Sequence, residues 1–348
     1  MTDASGGEAY KNPDVFSIFV MVVTFVVGVP GNFLVLWITS VKMRWTVNTI
    51  WFWNLAVADV ICCLSLPFSL AQLFYEEWLY GPILCKFIPV VVLLNMFASV
   101  FTLVAISVDR CILVIKPVWA QNHRHLRMAW MICLTIWILS FLMCLPAALY
   151  RKGYTENNMT FCVNDFDHTV SDYADNHSYY DVYEGYSSMG VEEDFTEAYQ
   201  LYPTHLTITV TRMVFGFLIP FVIITASYLR LAFKVQNPRF LKAGRKTTKV
   251  VFGIVVAFFI TWAPYHILGM IRLYFHNSYV VTLDNLSVAL AYFNSCINPI
   301  LYVFMGKDMR SKTQQSIRRL MESAFSEEVS RSTERTKSKV TAEDSATV

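Results

Sequence analysis

Seven long apolar runs dominate the chain, at about residues 16–39, 50–74, 83–115, 127–149, 206–234, 248–273 and 281–305. The hydrocarbon core of a bilayer is ~30 Å thick and a helix rises about 1.5 Å per residue, so about 20 apolar residues suffice to cross it. Each run is long enough, is bounded by polar or charged residues, and lacks the alternating period of a barrel strand. Only 16% of the 348 residues are charged, against about 25% in ordinary soluble proteins. The expected fold is an all-α membrane protein, a seven-transmembrane helix bundle. The first run is too long for a signal-peptide core and has neither a basic flank before it nor a small-residue cleavage site after it, so it reads as a retained span. The absence of a visible internal repeat counts against inverted-repeat transporters. A net charge of +2 excludes a strongly basic nucleic-acid binder, and no metalloenzyme spacing, P-loop or nucleophile elbow is present, so no enzymatic activity is expected.

Lysine and arginine set the orientation. With residues 1–15 outside, the inner loops hold Lys42 and Arg44, then Lys116, Arg124 and Arg127, then Arg230, Lys234, Arg239, Lys242, Arg245, Lys246 and Lys249. The outer segments carry only Lys11, Lys86, Arg151, Lys152 and Arg272. By the positive-inside rule the N-terminus is extracellular and the C-terminus cytoplasmic. The bundle then occupies 16–306 and includes a second outer loop at about 150–205. Residues 163–202 of that loop hold ten Asp/Glu, seven Tyr and no Lys or Arg. Such a loop is mobile or functional: a solvated spacer, or an electrostatic lure for a basic ligand. Residues 307–322 read as an amphipathic eighth helix on the inner membrane surface, and 323–348 as a Ser/Thr-rich tail.

Polar groups inside spans are costly, so each needs a reason. Span one holds Gly31-Asn32, span two Asn54 and Asp59, span three ends in Asp109-Arg110-Cys111, and span four has Trp137. Span five has Pro220 and Tyr228, span six Trp262-Ala-Pro264, and span seven Asn294, Ser295 and Asn298-Pro299-Ile-Leu-Tyr302. Asp59, a lone carboxylate at mid-membrane depth, must hold a cation or be neutral. Asn95, Ser99, Asn294, Ser295 and Asn298 offer oxygens for a sodium ion; the alternative is a protonated Asp59 in a structural hydrogen-bond network, and the cost of an unpaired buried charge favours the ion. Pro264 and Pro299 each remove a backbone hydrogen bond, where helix halves can swing.

This ordered set, from about residue 28 to 310, resembles the rhodopsin-like (class A) G-protein-coupled receptors. The resemblance implies that Asp59 and its neighbours bind sodium as an allosteric ion, with no obligatory cofactor. It implies that Cys85 and Cys162 form a disulfide, and that Trp262 acts as a toggle beneath the ligand. Asp109, Arg110, Tyr228, Pro264, Asn298, Pro299 and Tyr302 would work as coupling switches toward a heterotrimeric G protein, with the inhibitory class implied. Taken alone, a terminal arginine such as Arg110 is explained by ordinary snorkelling; within the ordered motif set the switch role prevails. Two positions depart from the common pattern: Cys111 stands where a tyrosine is usual, and Gly244 where an acidic partner of the arginine often lies.

The amine-binding aspartate would fall at Val92 and the retinal-linking lysine at Tyr292, so neither chemistry is available. Arg151, Arg212 and Asp284 at the outer ends instead describe a site for a peptide ending in a free arginine. Its carboxylate would lie on Arg151 and Arg212 and its guanidinium on Asp284, with Tyr265 and His266 as further ligand contacts. A membrane-border role explains Arg151 as readily; Arg212 lies deeper.

The stretches Arg44-Trp-Thr-Val-Asn-Thr-Ile-Trp-Phe, Cys63-Leu-Ser-Leu-Pro-Phe-Ser-Leu-Ala and Asn95-Met-Phe-Ala-Ser-Val-Phe resemble the chemoattractant branch. Gln121-Asn-His-Arg and Ala324-Phe-Ser-Glu-Glu-Val-Ser-Arg-Ser-Thr resemble its complement anaphylatoxin receptors. The outer loop is far shorter than in mammalian members, and Val163-Asn164-Asp165 follows Cys162 where they have a tyrosine nearby; a non-mammalian form fits both. The implied setting is the plasma membrane, and the implied outputs are chemotaxis and inflammation. Asn158 and Asn176 head glycosylation sequons. Tyr173, Tyr179, Tyr180, Tyr183 and Tyr186 lie in acidic contexts suited to sulfation. Ser323, Ser326, Ser330, Ser332, Thr333, Thr336 and Ser338 are candidate receptor-kinase targets that would recruit arrestin. The competing readings are a receptor for a related chemoattractant, a scavenger coupled to arrestin alone, and, from another class, a transporter.

Overall fold

In the computed structural model the described residues are 15–74, 78–156, 159–164, 203–234, 241–275 and 278–305, with single positions at 311 and 315. Helix α1 is Val15–Trp37 and continues through a wide π turn, Ile38–Lys42. Then follow α2 (Val47–Ala71), α3 (Gly81–Ile115), the short α4 (Pro117–His123) and α5 (Leu126–Tyr150). Beyond a hairpin, α6 (Pro203–Met213) passes through the π turn Val214–Leu218 into α7 (Ile219–Lys234). Helices α8 (Leu241–Ile271) and α9 (Ser278–Met305) complete the described bundle. The tail, most of the eighth-helix segment and the loop from residue 165 lie outside the described residues.

Among the described residues six helices are long and apolar enough to cross a membrane: α1 with its π turn, α2, α3, α5, the continuous Thr204–Phe233 helix, and Val251–Ile271 within α8. The seventh, α9, is long enough at 28 residues but is more polar, since Asp284, Asn285, Asn294, Ser295 and Asn298 fall along it. Most of these face protein rather than lipid: Asn294, Ser295 and Asn298 are buried. The bundle is inside out relative to a soluble protein. Phe19, Val26, Ile83, Phe141, Val222 and Ile260 are exposed, while Asn32, Asn54, Asp59, Asn95 and Ser99 are buried. Apolar side chains lose nothing by facing lipid, whereas polar ones must find partners inside.

Two tethers define the middle of the bundle. Asn54 on α2 donates to Thr102 Oγ1 on α3 at 2.7 Å and accepts from Trp137 Nε1 on α5 at 2.8 Å. Asn32 on α1 donates to the Ser295 carbonyl on α9 at 2.8 Å. Helix α1 approaches closely because position 28 has no side chain: a Cβ there would lie 2.7 Å from Cys63 Sγ and 3.5 Å from Cys296 Cβ. The π turn after Met213 sits where Pro220 has no N–H to offer the Gly216 carbonyl and its ring crowds that oxygen.

One element was not anticipated. The start of the second outer loop forms an antiparallel hairpin, β1 (Arg151–Glu156) with β2 (Met159–Asn164), pairing Arg151 with Asn164 and Gly153 with Cys162. The Cys85–Cys162 disulfide ties it to the outer end of α3. Trp78 adds a second tie, its backbone N–H donating to the Thr160 carbonyl, and a small cluster of Trp78, Cys85 and Ile88 packs beneath. The six remaining cysteines are free, as their positions in and beside the spans imply.

Candidate functional site

Three of the residues singled out for ligand contact meet in the outer half of the bundle. Arg212, near the end of α6, donates from Nη1 to the Tyr265 hydroxyl at 2.9 Å, and its guanidinium carbon lies 4.8 Å from the ring centroid. Cation–π attraction and a hydrogen bond thus hold one cation on one ring. The guanidinium also fits against Gly269, where a Cβ would stand 3.0 Å from Nη2. Next to Tyr265, His266 is buried, neither ring nitrogen has a hydrogen-bond partner among the described residues, and its ring lies 5.2 Å from Phe217. Arg212 Nε is likewise without a partner, and among the described residues Arg212 has no carboxylate. Unspent donor capacity of this kind in a buried setting is what an anionic ligand group satisfies.

From Tyr265 an aromatic chain descends. Tyr265 packs edge-on against Trp262 at 5.5 Å, and Trp262 lies tilted on Phe258 at 6.0 Å. Trp262 is fully buried with an unpartnered Nε1, and Pro264 lies between it and Tyr265 in the same helix. Tyr265 is thus the single ring between Arg212 and Trp262.

The other two ligand candidates stand apart from this group. Arg151 opens β1, directly after α5, with Nε 3.1 Å from Cys162 Sγ, so the disulfide positions it. Asp284 on α9 already has a cation: it pairs with Arg272, from the turn that ends α8. The candidate carboxylate for a ligand's guanidinium thus has a resident arginine, which nothing in the sequence suggested. Tyr292, at the retinal-lysine position, is buried with its hydroxyl 2.7 Å from Ser69 Oγ.

Below Trp262 the polar residues around Asp59 converge. Asn298 Nδ2 donates to Asp59 Oδ2 at 2.7 Å. With its amide nitrogen toward the carboxylate, Asn95 donates to Asp59 Oδ1 at 3.3 Å and to the Ala58 carbonyl at 3.2 Å, and accepts from Ser295 Oγ at 3.1 Å. Ser99 Oγ lies 3.5 Å from the Asn95 amide. Asn294 is one shell out, its oxygen 3.4 Å from Thr261 Oγ1. Among the described residues the Asn298 amide oxygen is buried without a donor. A hard cation takes oxygen ligands, so a carboxylate bonded to this residue's amide and next to its orphaned oxygen suits one.

At the inner end Asp109 and Arg110 have separate partners. Asp109 is held bidentately by Arg124, at 2.7 and 3.1 Å. Arg110 instead donates to Asn48 Oδ1 on α2 at 2.6 Å, and Arg124 donates to the same oxygen at 2.6 Å. The cause is α4: begun at Pro117, this turn of helix brings Arg124 back onto the end of α3. Tyr228 on α7 packs edge-on against Phe252 at 5.6 Å. Pro299 lies inside α9. The Tyr302 side chain, Asn158, Asn176, the five loop tyrosines and the tail serines and threonines lie outside the described residues.

Residues 31–189 and 193–302 match the family described as 7 transmembrane receptor (rhodopsin family). The chain belongs to that family. It is thus a multi-pass membrane receptor, and its family is one of receptors rather than enzymes. The C3a anaphylatoxin chemotactic receptor of Danio rerio is 43% identical over 327 residues, covering 92% of this receptor and 81% of the fish protein. The Homo sapiens protein of the same name is 34% identical over 448 residues, covering 92% of each chain. That alignment is longer than this receptor, so the human protein carries insertions relative to it. The Oryctolagus cuniculus C5a anaphylatoxin chemotactic receptor 1 is 35% identical over 322 residues, covering 90% of this receptor and 83% of the rabbit protein.

Proposed function

We propose that this receptor responds to complement component 3a, or a small basic protein like it, through the ligand's C-terminal arginine. The observation that carries the reading is Arg212, a guanidinium inside the bundle with no carboxylate among the described residues and an unpartnered Nε. The ligand's terminal carboxylate satisfies it, with Arg151 as a second cation; the terminal guanidinium goes to Asp284, and Tyr265 and His266 line the site. The outer charge supports a basic partner: residues 163–202 carry ten acidic groups and no Lys or Arg. The fish C3a receptor's higher identity favours component 3a over component 5a.

Binding shifts a two-state bundle toward an open inner face, by way of Trp262 and the Pro264 and Pro299 hinges. There Arg110, Tyr228 and Tyr302 meet a heterotrimeric G protein of the inhibitory class. The receptor sits in the plasma membrane with its N-terminus outside, and tail phosphorylation by receptor kinases recruits arrestin. Asp59, with Asn95, Ser99, Ser295 and Asn298 and with Asn294 behind them, would hold a sodium ion, whose charge supplies the compensation a buried carboxylate needs.

The deciding experiment measures G-protein activation by a basic peptide ending in arginine, by the same peptide lacking that residue, and by both on Arg212→Ala. Loss of response in either case supports the reading. Equal potency of the shortened peptide sinks it and leaves the component 5a or formyl-peptide alternatives. Arrestin recruitment without G-protein activation makes the chain a scavenger.

A further inference from the structure

The ion pair between Arg272 and Asp284 bridges the outer ends of α8 and α9. Its two halves are unlike: the Asp284 side chain is 15% exposed and the Arg272 side chain 44%. The carboxylate is fixed in the bundle wall, while the guanidinium reaches it from a turn, held otherwise by its backbone N–H on the Leu268 carbonyl at 2.8 Å. Arg272 can swing into water at little cost, because an exposed arginine head is readily hydrated.

We propose that Arg272 is a resident competitor for Asp284 and thereby a specificity-determining residue of the ligand site. The inference rests on the reading that Asp284 receives the ligand's terminal guanidinium. If so, binding exchanges one guanidinium–carboxylate pair for another, conserving charge and hydrogen-bond type. A neutral side chain cannot displace Arg272 and leaves the pair closed. An arginine displaces it with a small net gain. Most of the affinity then comes from the ligand carboxylate on Arg212, which surrenders no carboxylate partner among the described residues. Arg272 thus admits a terminal arginine to Asp284 while muting the reward for it.

The readout is the ratio of dissociation constants for two basic peptides, one ending in arginine and one in citrulline, its uncharged isostere. It is measured on the full-length receptor in membranes, for wild type, Arg272→Gln, Arg272→Ala and Asp284→Ala, with surface expression checked. Removing the competitor should raise the ratio about threefold in both Arg272 variants, the scale of a partly exposed ion pair, because the ligand arginine then meets an empty carboxylate. In Asp284→Ala the ratio should fall to about one. An unchanged or lower ratio in the Arg272 variants overturns the competitor role while leaving the site reading intact. A wild-type ratio retained by Asp284→Ala overturns the site reading itself. Because Arg272 lies in an exposed turn, two substitutions that both abolish expression would mark the pair as a structural clamp and overturn the proposal.

Discussion

Arg212 lies over the Tyr265 ring and bonds its hydroxyl, so one aromatic residue holds the cation by two separable interactions. Tyr265→Phe keeps the face and removes the bond, which at about 1 kcal/mol lowers potency of an arginine-ended peptide roughly fivefold. Tyr265→Ala removes the ring as well. Adding about 2 kcal/mol for a desolvated cation–π contact, the loss should exceed ~30-fold. A concentration–response series separates the two; equal losses would mean that the ring face contributes nothing.

Gly269 gives the same guanidinium its seat on α8. A Cβ there comes within 3.0 Å of Arg212 Nη2 and 3.9 Å of Thr209 Cγ2. Gly269→Ala should move the guanidinium by a few tenths of an ångström and weaken binding about threefold, and Gly269→Leu should weaken it further. Alanine is the better helix former by about 1 kcal/mol, so thermal stability should hold or rise. A fall in stability matching the fall in binding would show general disruption instead of a displaced arginine.

The contrast between these residues and Arg272 shows what could be read in advance. A membrane helix announces itself by length, and a polar residue within it must be satisfied inside the protein. Hence the seven spans, the Asp59 neighbourhood and the depth of Arg212 were all visible in composition and spacing. The Arg272–Asp284 pair was not: Arg272 lies in the turn just beyond α8 and Asp284 six residues into α9, and their meeting depends on how α8 and α9 splay. Arg124 reaches Asp109 only because Pro117 starts a short helix in the inner loop, a start signal that was there to be used. The β1–β2 hairpin had a local cue too, in turn-favouring Asn157-Asn158 between Arg151–Glu156 and Met159–Asn164. The long acidic stretch beyond it masked that cue.

Close packing at Gly28 yields a stability prediction independent of ligand. With its Cβ 2.7 Å from Cys63 Sγ, Gly28→Ala must part α1 from α2 or force the thiol aside, at about 1–3 kcal/mol. Melting in detergent should drop by several degrees. Cys63→Ala removes the obstructing sulfur, so the double variant should recover part of the loss relative to Cys63→Ala alone. Strictly additive losses would place the crowding elsewhere.

At the inner end, one amide oxygen of Asn48 accepts from both Arg110 and Arg124 at 2.6 Å. Under the coupling role proposed for Arg110, this oxygen restrains the group that must turn toward the G protein. Both donors are guanidinium groups, so a carboxylate in place of the amide oxygen turns two charge-assisted bonds into ion pairs with better-matched geometry. Asn48→Asp should therefore tighten the restraint and lower ligand-free nucleotide exchange on a reconstituted G protein, whereas Asn48→Ala should raise it. Asp109 stays paired with Arg124 through two bonds of its own, so Asn48→Ala should not unfold the loop, and peptide affinity should change less than basal exchange. If Asn48→Asp and Asn48→Ala shift basal exchange in the same direction, the Asn48 carbonyl is not the restraint on Arg110.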